Sequence, residues 1–163
     1  MNYHNITKDD MLNGDGIRVV LWVAGCPHHC DGCHNQFTWD QNGGLPFTDE
    51  TKQELFDELK KDYMSGITLS GGDPLMDINR GEIAKLVKEI KKNFPDKTIW
   101  AYTGYLWDDV KDLPLIKDID VLVDGRFVRS LKDPQLHWKG SSNQNVIDVA
   151  KSLETGKIVL YNE

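Results

Sequence analysis

The sequence contains no cysteine outside one short segment. Its three cysteines, Cys26, Cys30 and Cys33, are separated by only a few residues. An odd number of thiols excludes a complete disulfide framework, and a closed structural zinc site made of cysteine alone would need a fourth. Clustered free thiols are typical of a reducing compartment, where cysteines more often bind metals or act in catalysis than form bridges.

The chain also has no excess of basic residues and no long apolar run. Its 19 Lys and Arg residues face 26 Asp and Glu residues, which gives a net charge of −7 at pH 7. An acidic protein does not attract nucleic acid or anionic membranes, so we expect neither as a partner. No apolar run approaches the length of a membrane span, and Met1 to His4 do not resemble the start of a signal peptide. We therefore expect a cytoplasmic protein.

The spacing of the three cysteines predicts an iron–sulfur cluster. A cubane 4Fe-4S cluster is held by cysteine thiolates, and three thiolates leave one iron without a protein ligand and open to a small molecule. Gly25 and Gly32 can adopt the positive φ angles and close backbone approach that a tight ligand loop needs. The alternative is a zinc site completed by one of the neighbouring histidines. These are His28, His29 and His34.

Apolar, β-branched segments alternate with amphipathic ones along most of the 163 residues, which predicts a single domain (1–163) of alternating strands and helices. Right-handed crossovers then give a mainly parallel sheet, with the loops after its strands at one edge. A complete eight-stranded barrel needs about 250 residues, so we expect an α/β fold with a partial, open (β/α) barrel. The predicted strands are Ile17–Val23, Gly66–Ser70, Thr98–Tyr102 and Ile119–Val123, and the predicted helices are Thr48 to about Tyr63, Asn79–Phe94 and Trp107–Leu113.

The last part of the chain departs from this alternation. A polar loop is followed by two predicted strands, Asn145–Val149 and Lys157–Tyr161, around a glycine-containing turn. We therefore expect residues 132–161 to form a polar loop and a hairpin.

A second candidate site follows the strand Gly66–Ser70. Gly71 and Gly72 would let the backbone approach a ligand closely, and Asp73 adds a negative charge that an ammonium group would favour. A Gly-Gly-Asp-Pro segment is also a common turn, and without further information the turn is the better interpretation.

Two polar features have alternative interpretations. Arg18, within the first predicted strand, is either a charge at the sheet edge or the buried partner of an acid. The segment Ser141 to Gln144 is either an ordinary loop or a group of side chains that hydrogen-bond a ribose or a partner peptide.

The cysteine spacing, with His34 and Asn35 after the third cysteine, resembles the signature of radical S-adenosylmethionine (SAM) enzymes. The resemblance implies a barrel of the radical SAM type. It also implies that the amino and carboxylate groups of SAM chelate the open iron, and that an electron from the reduced cluster cleaves SAM to a 5′-deoxyadenosyl radical. On this resemblance, the Gly-Gly-acid segment becomes a ligand site in which Gly72 and Asp73 hold the amino group of SAM.

Further segments look like the activating proteins of anaerobic (class III) ribonucleoside-triphosphate reductases, and the likeness spans nearly the whole chain. They are Asn13 to Arg18, Gly25 to His28, Cys33 to Asn35, Thr38 and Trp39, Ser70 to Leu75, Tyr102 to Tyr105, Val123 to Phe127 and Trp138 to Gln144. Two residues, Lys139 and Gly32, affect the contacts that this likeness implies. Lys139 stands where arginine is more usual, so a bidentate contact is replaced by a point charge. Gly32 precedes the third cysteine, so no aromatic side chain can stack on adenine from that position, which is ordinary for these activases.

The same resemblance implies roles for individual residues. The three cysteines would bind the cluster and form the catalytic centre. The backbone of Gly32, Cys33 and His34 would line the adenosyl side of SAM, and Thr103 and Asp124 would lie at its ribose or methionine part.

The implied reaction takes place on a protein. The deoxyadenosyl radical would remove a hydrogen atom from the α-carbon of a glycine near the C-terminus of the large subunit of the reductase, leaving a glycyl radical. A small electron donor such as flavodoxin would supply the electron. The activase of pyruvate formate-lyase is similar around the cluster but is of a longer type, so activation of another glycyl radical enzyme is the alternative. A binding module with a structural zinc is the third possibility.

Overall fold

The computed structural model describes residues 1–162 and contains a seven-stranded sheet with helices packed against it. The strands are β1 (Asn2–Asp10), β2 (Arg18–Val23), β3 (Leu45–Pro46), β4 (Gly66–Gly71), β5 (Thr98–Tyr102), β6 (Val121–Asp124) and β7 (Asn145–Asp148). The helices are α1 (Asp49–Leu59), α2 (Asp77–Asn93), α3 (Trp107–Val110) and α4 (Val149–Thr155). None of the helices within residues 1–162 is both long and apolar enough to cross a membrane.

The sheet is open and mixed, with the order β3-β1-β2-β4-β5-β6-β7. Strands β2, β4, β5 and β6 run parallel to one another, and they are the strands that the sequence predicts. Strands β1, β3 and β7 are antiparallel to their neighbours. The α/β class and the open sheet agree with the prediction, but the mainly parallel sheet expected of a radical SAM barrel is replaced by a mixed one.

The sequence pattern predicts no strand in the N-terminal segment, where the structure has β1. This strand is mostly polar, and every one of its residues is exposed or only partly buried. A strand near the edge of a sheet with one face in water carries little of the apolar pattern that marks a buried strand. Its contact with β2 includes a side-chain hydrogen bond, in which Trp22 Nε1 donates to Thr7 Oγ1 at 2.7 Å.

The predicted C-terminal hairpin is wrong. Strand β7 forms, but the chain then enters α4, where the Asp148 carboxylate caps the first turn by accepting from Lys151 N at 3.0 Å. Gly156 ends the helix with a φ of 75°. The segment 157–161 then makes only an isolated antiparallel bridge, between Leu160 and Ile147. A capped helix therefore stands between the two predicted strands, where the sequence predicts only a glycine-containing turn.

The other predicted helices form with shifted ends. Helix α1 is capped at Thr48 as predicted, because Thr51 N donates to Thr48 Oγ1 at 3.3 Å. It ends at Leu59 rather than near Tyr63, and α2 begins at Asp77, slightly before the predicted start.

Both faces of the central strands are buried, and alternate residues of β5, β6 and β7 belong to different cores. On β5, Ile99 and Ala101 belong to the large core that also contains buried residues of the helices, whereas Trp100 faces a second, smaller cluster. Trp138 and Tyr161 pack on that smaller cluster from the polar C-terminal part of the chain. The second face is therefore closed by loop residues and not by helices.

Arg18 is buried and is neither an edge charge nor hydrogen-bonded to a carboxylate. Its guanidinium donates to Thr68 Oγ1 at 2.8 Å, to Thr98 Oγ1 at 2.9 Å, and to the carbonyls of Ile67, Thr98 and Asp15 at 2.8 to 3.0 Å. Burial lowers the pKa of the guanidinium to about 10, against the opposing attraction of acidic groups. The arginine thus connects the starts of β2, β4 and β5, at the end of the sheet opposite the cysteine loop.

We expect the substitution Arg18→Met to lower the free energy of unfolding by about 3 kcal/mol, because methionine fills the space but leaves buried oxygens without donors. Urea unfolding of the iron-free protein would measure the change. The exposed Arg126 provides a control, since Arg126→Met should cost less than about 0.5 kcal/mol. An unchanged midpoint for Arg18→Met would show that the hydrogen bonds of the guanidinium contribute no net stability.

Candidate functional site

The loops that follow β2, β4, β5 and β6 meet at one edge of the sheet, as the sequence predicts. Asp73 N donates to Gly25 O at 2.7 Å, which joins the loop after β4 to the start of the cysteine loop. Thr103, after β5, donates to the Asp73 carboxylate at 2.9 Å. Gly125, after β6, donates to Tyr105 O at 2.9 Å. The parallel strands therefore bring four separate sequence segments into contact.

The cysteine loop (26–33) is held by backbone hydrogen bonds. Gly25 N donates to Thr38 O at 2.7 Å and Cys26 N donates to Trp39 O at 3.2 Å, so the short helical turn after the loop fixes its beginning. The loop needs positive φ angles at Gly25 (98°), His29 (49°) and Gly32 (77°). The two predicted glycines are thus used as expected, and His29 adopts a left-handed conformation that is uncommon for residues other than glycine.

The three cysteines are free, partly buried thiols that suit an iron–sulfur cluster. Burial raises the pKa of the Cys26 thiol to about 11, although hydrogen bonds with the backbone of His28 and His29 act in the opposite direction. Asn35 N donates to Cys33 Sγ at 3.3 Å. Backbone donors directed at sulfur are typical of cluster sites, and the loss of the thiol proton would accompany iron binding. These features fit the group that the spacing predicts.

The neighbouring histidines do not join the thiols. His28 Nε2 lies 2.6 Å from Asp73 Oδ2, and His29 stacks on Trp39 at a ring distance of 4.4 Å. His34 is exposed, 6.1 Å from the ring of Phe127. Within residues 1–162, no three His, Cys, Asp or Glu side chains converge as a single metal ion would require. A cubane cluster makes a different demand, because each thiolate binds a different iron.

The Asp73 carboxylate is the polar centre of the site and is only 1% exposed. Leu75 N donates to its Oδ1 at 2.8 Å, and Gly104 N donates to its Oδ2 at 3.0 Å. Thr103 Oγ1 lies 2.9 Å from both oxygens, and His28 Nε2 completes the set. The buried carboxylate thus accepts from three of the loops that meet at this edge.

The glycines before Asp73 have a structural role that the sequence does not reveal. A Cβ atom on Gly72 would lie 2.4 Å from Gly25 O, and one on Gly71 would lie 2.6 Å from Val23 N. Any side chain at either position would separate the ends of β2 and β4. Glycine is therefore required here by packing, and the contact of Gly72 with SAM stays a prediction.

Thr103 and Asp124 are buried, and their side chains form hydrogen bonds with other groups of the protein. Thr103 donates to Asp73, as described above. Both oxygens of Asp124 accept from backbone amides, Oδ2 from Trp107 N and Oδ1 from Asn145 N, each at 2.9 Å. Asp124 therefore fixes the start of α3 and of β7, and its predicted contact with SAM remains untested.

The polar segment Ser141 to Gln144 binds its own chain. Gln144 Nε2 donates to Gly125 O at 2.9 Å, and Asn143 Nδ2 donates to Arg126 O at 2.9 Å. Lys139 donates from Nζ to Gln144 O at 3.0 Å, a single contact consistent with a point charge. The segment thus holds the loop after β6 in place beside the cysteine loop.

The sequence does not reveal the roles of three residues of the site. It predicts no role for Asn79 or Arg129, and it indicates His28 only as a possible zinc ligand. Asn79 is fully buried and donates from Nδ2 to Ala24 O and Asp73 O, each at 3.0 Å. Arg129 lies over Gly32, where a Cβ atom would be 3.2 Å from its Cδ. His28 binds Asp73. The position of His28 between two cysteines is the one sequence signal that could have pointed to it.

Comparison with known sequences identifies the class of protein. Residues 12–147 match the family described as "4Fe-4S single cluster domain". This match covers most of the chain and includes all three cysteines. The chain is therefore an iron–sulfur protein of the single-cluster type, and the cluster assignment based on spacing is supported.

Individual curated relatives define the family more narrowly. The "Anaerobic ribonucleoside-triphosphate reductase-activating protein" of Enterobacteria phage T4 is 47% identical over 90% of this chain and 93% of its own length. The proteins of the same name from Escherichia coli K12 and Vibrio cholerae are 46% and 43% identical, over 90% and 88% of this chain and 97% and 96% of their own lengths. The chain belongs to the family of anaerobic ribonucleoside-triphosphate reductase-activating proteins, and the resemblance noted in the sequence is confirmed.

We expect Asp124→Ala to lower the free energy of unfolding by about 2 kcal/mol, because two buried amides lose their acceptor. Urea unfolding of the iron-free protein would measure this loss in the absence of any ligand. Asp112→Ala, at an exposed position after α3, should change it by less than about 0.5 kcal/mol. Equal stabilities for the two variants would argue against a structural role and in favour of a ligand role alone.

Proposed function

We propose that this protein binds a 4Fe-4S cluster through Cys26, Cys30 and Cys33 and uses it with SAM to form a glycyl radical on an anaerobic ribonucleoside-triphosphate reductase. The observation that carries the proposal is the cysteine loop itself, which presents three free thiols at the sheet edge where the buried Asp73 carboxylate lies. The names of the relatives supply the partner.

The proposed chemistry consumes one electron per SAM. The bond between the sulfonium sulfur and C5′ breaks, methionine leaves, and the 5′-deoxyadenosyl radical takes a hydrogen atom from the glycine α-carbon to become 5′-deoxyadenosine. A small low-potential donor such as flavodoxin would supply the electron. A reducing, cytoplasmic setting is part of this proposal, since the ligands must remain thiols until the cluster is assembled.

The residues around the thiols would bind SAM by its two ends. Gly72 and Asp73 would hold the amino group, and the backbone of Gly32, Cys33 and His34 would line the adenosyl side. A carboxylate offers about four lone-pair sites, and the donors to Asp73 fill them. The hydroxyl of Thr103 carries one proton shared between two oxygens, so it can rotate and leave a site for the ammonium group. On this proposal Thr103 would lie at the methionine end, and Asp124 would lie at the ribose or methionine part of SAM.

The cleft beside the cysteine loop supports a protein substrate. It is bounded by His28 to Asp31 on one side and Arg126 to Ser130 on the other, and it opens to solvent. Val128, on the second side, is an exposed apolar residue. A small-molecule site encloses most of its ligand, whereas this cleft lacks a lid within residues 1–162 and would be completed by an inserted segment of the reductase.

We expect each of the variants Cys26→Ala, Cys30→Ala and Cys33→Ala to lose SAM cleavage while much of the fold is kept, because the thiols lie in a loop outside the core. Iron content, the visible spectrum and circular dichroism would be measured after anaerobic reconstitution. Asp31→Ala, a change at an exposed position in the same loop, is the control and should retain iron. A cysteine variant with full cleavage and an unchanged cluster spectrum would show that the ligand assignment is wrong.

We expect the reduced protein, mixed with SAM and the large subunit of the reductase from the same source, to give a glycyl radical doublet in electron paramagnetic resonance. One 5′-deoxyadenosine should form for each radical. Changing the C-terminal glycine of the reductase to alanine should remove the doublet. If the radical formed on pyruvate formate-lyase and not on the reductase, the partner would be wrong; if SAM were cleaved without any protein radical, the activase function would be wrong.

A further inference from the structure

His28 makes the one side-chain hydrogen bond from the cysteine loop to the Asp73 carboxylate. Its side chain is 4% exposed, that of Asp73 is 1% exposed, and the Nε2 to Oδ2 distance is 2.6 Å. An ionised carboxylate only accepts hydrogen bonds, so the imidazole donates from Nε2. The bond joins residues 45 positions apart in the sequence, one between two cysteines and the other after β4.

The position of the imidazole is built into the loop after β5. A Cβ atom on Gly104 would lie 2.4 Å from His28 Cδ2, so only glycine leaves room for the ring. Tyr105 packs against the same ring edge to face, with centroids 4.6 Å apart and an interplanar angle of 77°. The backbone amide of Gly104 donates to the same carboxylate oxygen as His28. The pocket therefore specifies both the place and the direction of the imidazole.

The other donors to the carboxylate do not reach the cysteine loop. Leu75 N belongs to the loop of Asp73 itself, and Thr103 and Gly104 belong to the loop after β5. His28 is therefore the donor side chain through which the cysteine loop affects the orientation of the Asp73 carboxylate. Its ring is fixed between Gly104 and Tyr105, whereas the hydroxyl of Thr103 has a single proton to donate and lies 2.9 Å from both carboxylate oxygens. An arriving ammonium group would therefore displace the hydroxyl and leave the imidazole in place.

We propose that His28 is a positioning residue for SAM, which acts by orienting the Asp73 carboxylate relative to the cysteine loop. It does not touch SAM and does not bind iron. Through this bond, the amino-group site and the cluster site form one unit. The inference rests on the proposed function, because it assigns a SAM contact to Asp73.

The test compares His28→Phe with His28→Gln in anaerobically reconstituted protein. Phenylalanine keeps the ring packed on Tyr105 but cannot donate, whereas the amide of glutamine can reach the place of Nε2. Loss of a charge-assisted hydrogen bond predicts SAM binding about 10-fold weaker for His28→Phe, and within about 3-fold of wild type for His28→Gln. Iron content should be unchanged in both. Equilibrium dialysis of labelled SAM measures affinity without relying on turnover.

Three further variants separate positioning from general damage to the loop. His137→Phe alters an exposed histidine outside the cysteine loop, which stacks on Trp138 and does not contact Asp73, and should leave the affinity for SAM unchanged. Gly104→Ala moves the His28 ring without changing either bonded side chain and should match His28→Phe. In His28→Phe/Asp73→Ala, the loss should equal that of Asp73→Ala alone, because a residue that acts through Asp73 has nothing to add once the carboxylate is gone.

Several outcomes would overturn the proposal. Wild-type affinity in His28→Phe would show that the imidazole does not support SAM binding. Tighter binding by His28→Phe would show that the imidazole competes with SAM. Iron loss in both His28→Phe and His28→Gln would assign the residue to the cluster site itself. Additive losses in the double variant would show that His28 acts independently of Asp73. Wild-type protein that holds its iron but binds no SAM would overturn the proposed function as well, whereas normal wild-type binding with an unaffected His28→Phe would overturn this inference alone.

Discussion

The arrangement of the loops depends on the burial of one carboxylate. A carboxylate removed from water is stable only where donors replace its hydration. For Asp73 these donors are Leu75 N from its own loop, Thr103 and Gly104 from the loop after β5, and His28 from the cysteine loop. Each segment is thus placed relative to the others by a bond that is costly to break. The geometry around the thiols is determined by this anion as much as by the cysteines.

The centre of the fold could be predicted from the sequence, and its edges could not. Strands β2 and β4 are buried along nearly their whole length, and β2 has a continuous apolar, β-branched run whose pattern is unambiguous. The strand β1 is polar and half in water, and β3 is only the exposed pair Leu45 and Pro46. At the other edge, the cap formed by Asp148 starts a helix between the two strands that the sequence predicts there. Pairing partners distant in sequence decide segments such as β1 and β3, and no local period records them.

In the site, the chemical identity of the ligands could be predicted, but the contacts among the loops could not. Three thiols at a short spacing and flanking glycines indicate a cluster from local sequence alone. The bond between His28 and Asp73 has no such signature, and a histidine between cysteines is equally consistent with a metal ligand. Asp124 shows the opposite difficulty, because an acid at the end of a strand suggests a ligand contact while both of its oxygens hold backbone amides.

The antiparallel strands at the two edges of the sheet limit how this fold can be enlarged. A βα unit extends a sheet by placing its strand parallel to the last one through a right-handed crossover. Here the outermost strands, β3 and β7, run against their neighbours, so neither edge continues the parallel series. An ancestor or descendant with more barrel units would have to lose or rebuild an edge strand rather than append to it. Variation in this architecture is therefore directed into its loops, above all those at the C-terminal ends of the parallel strands, where the cysteines lie.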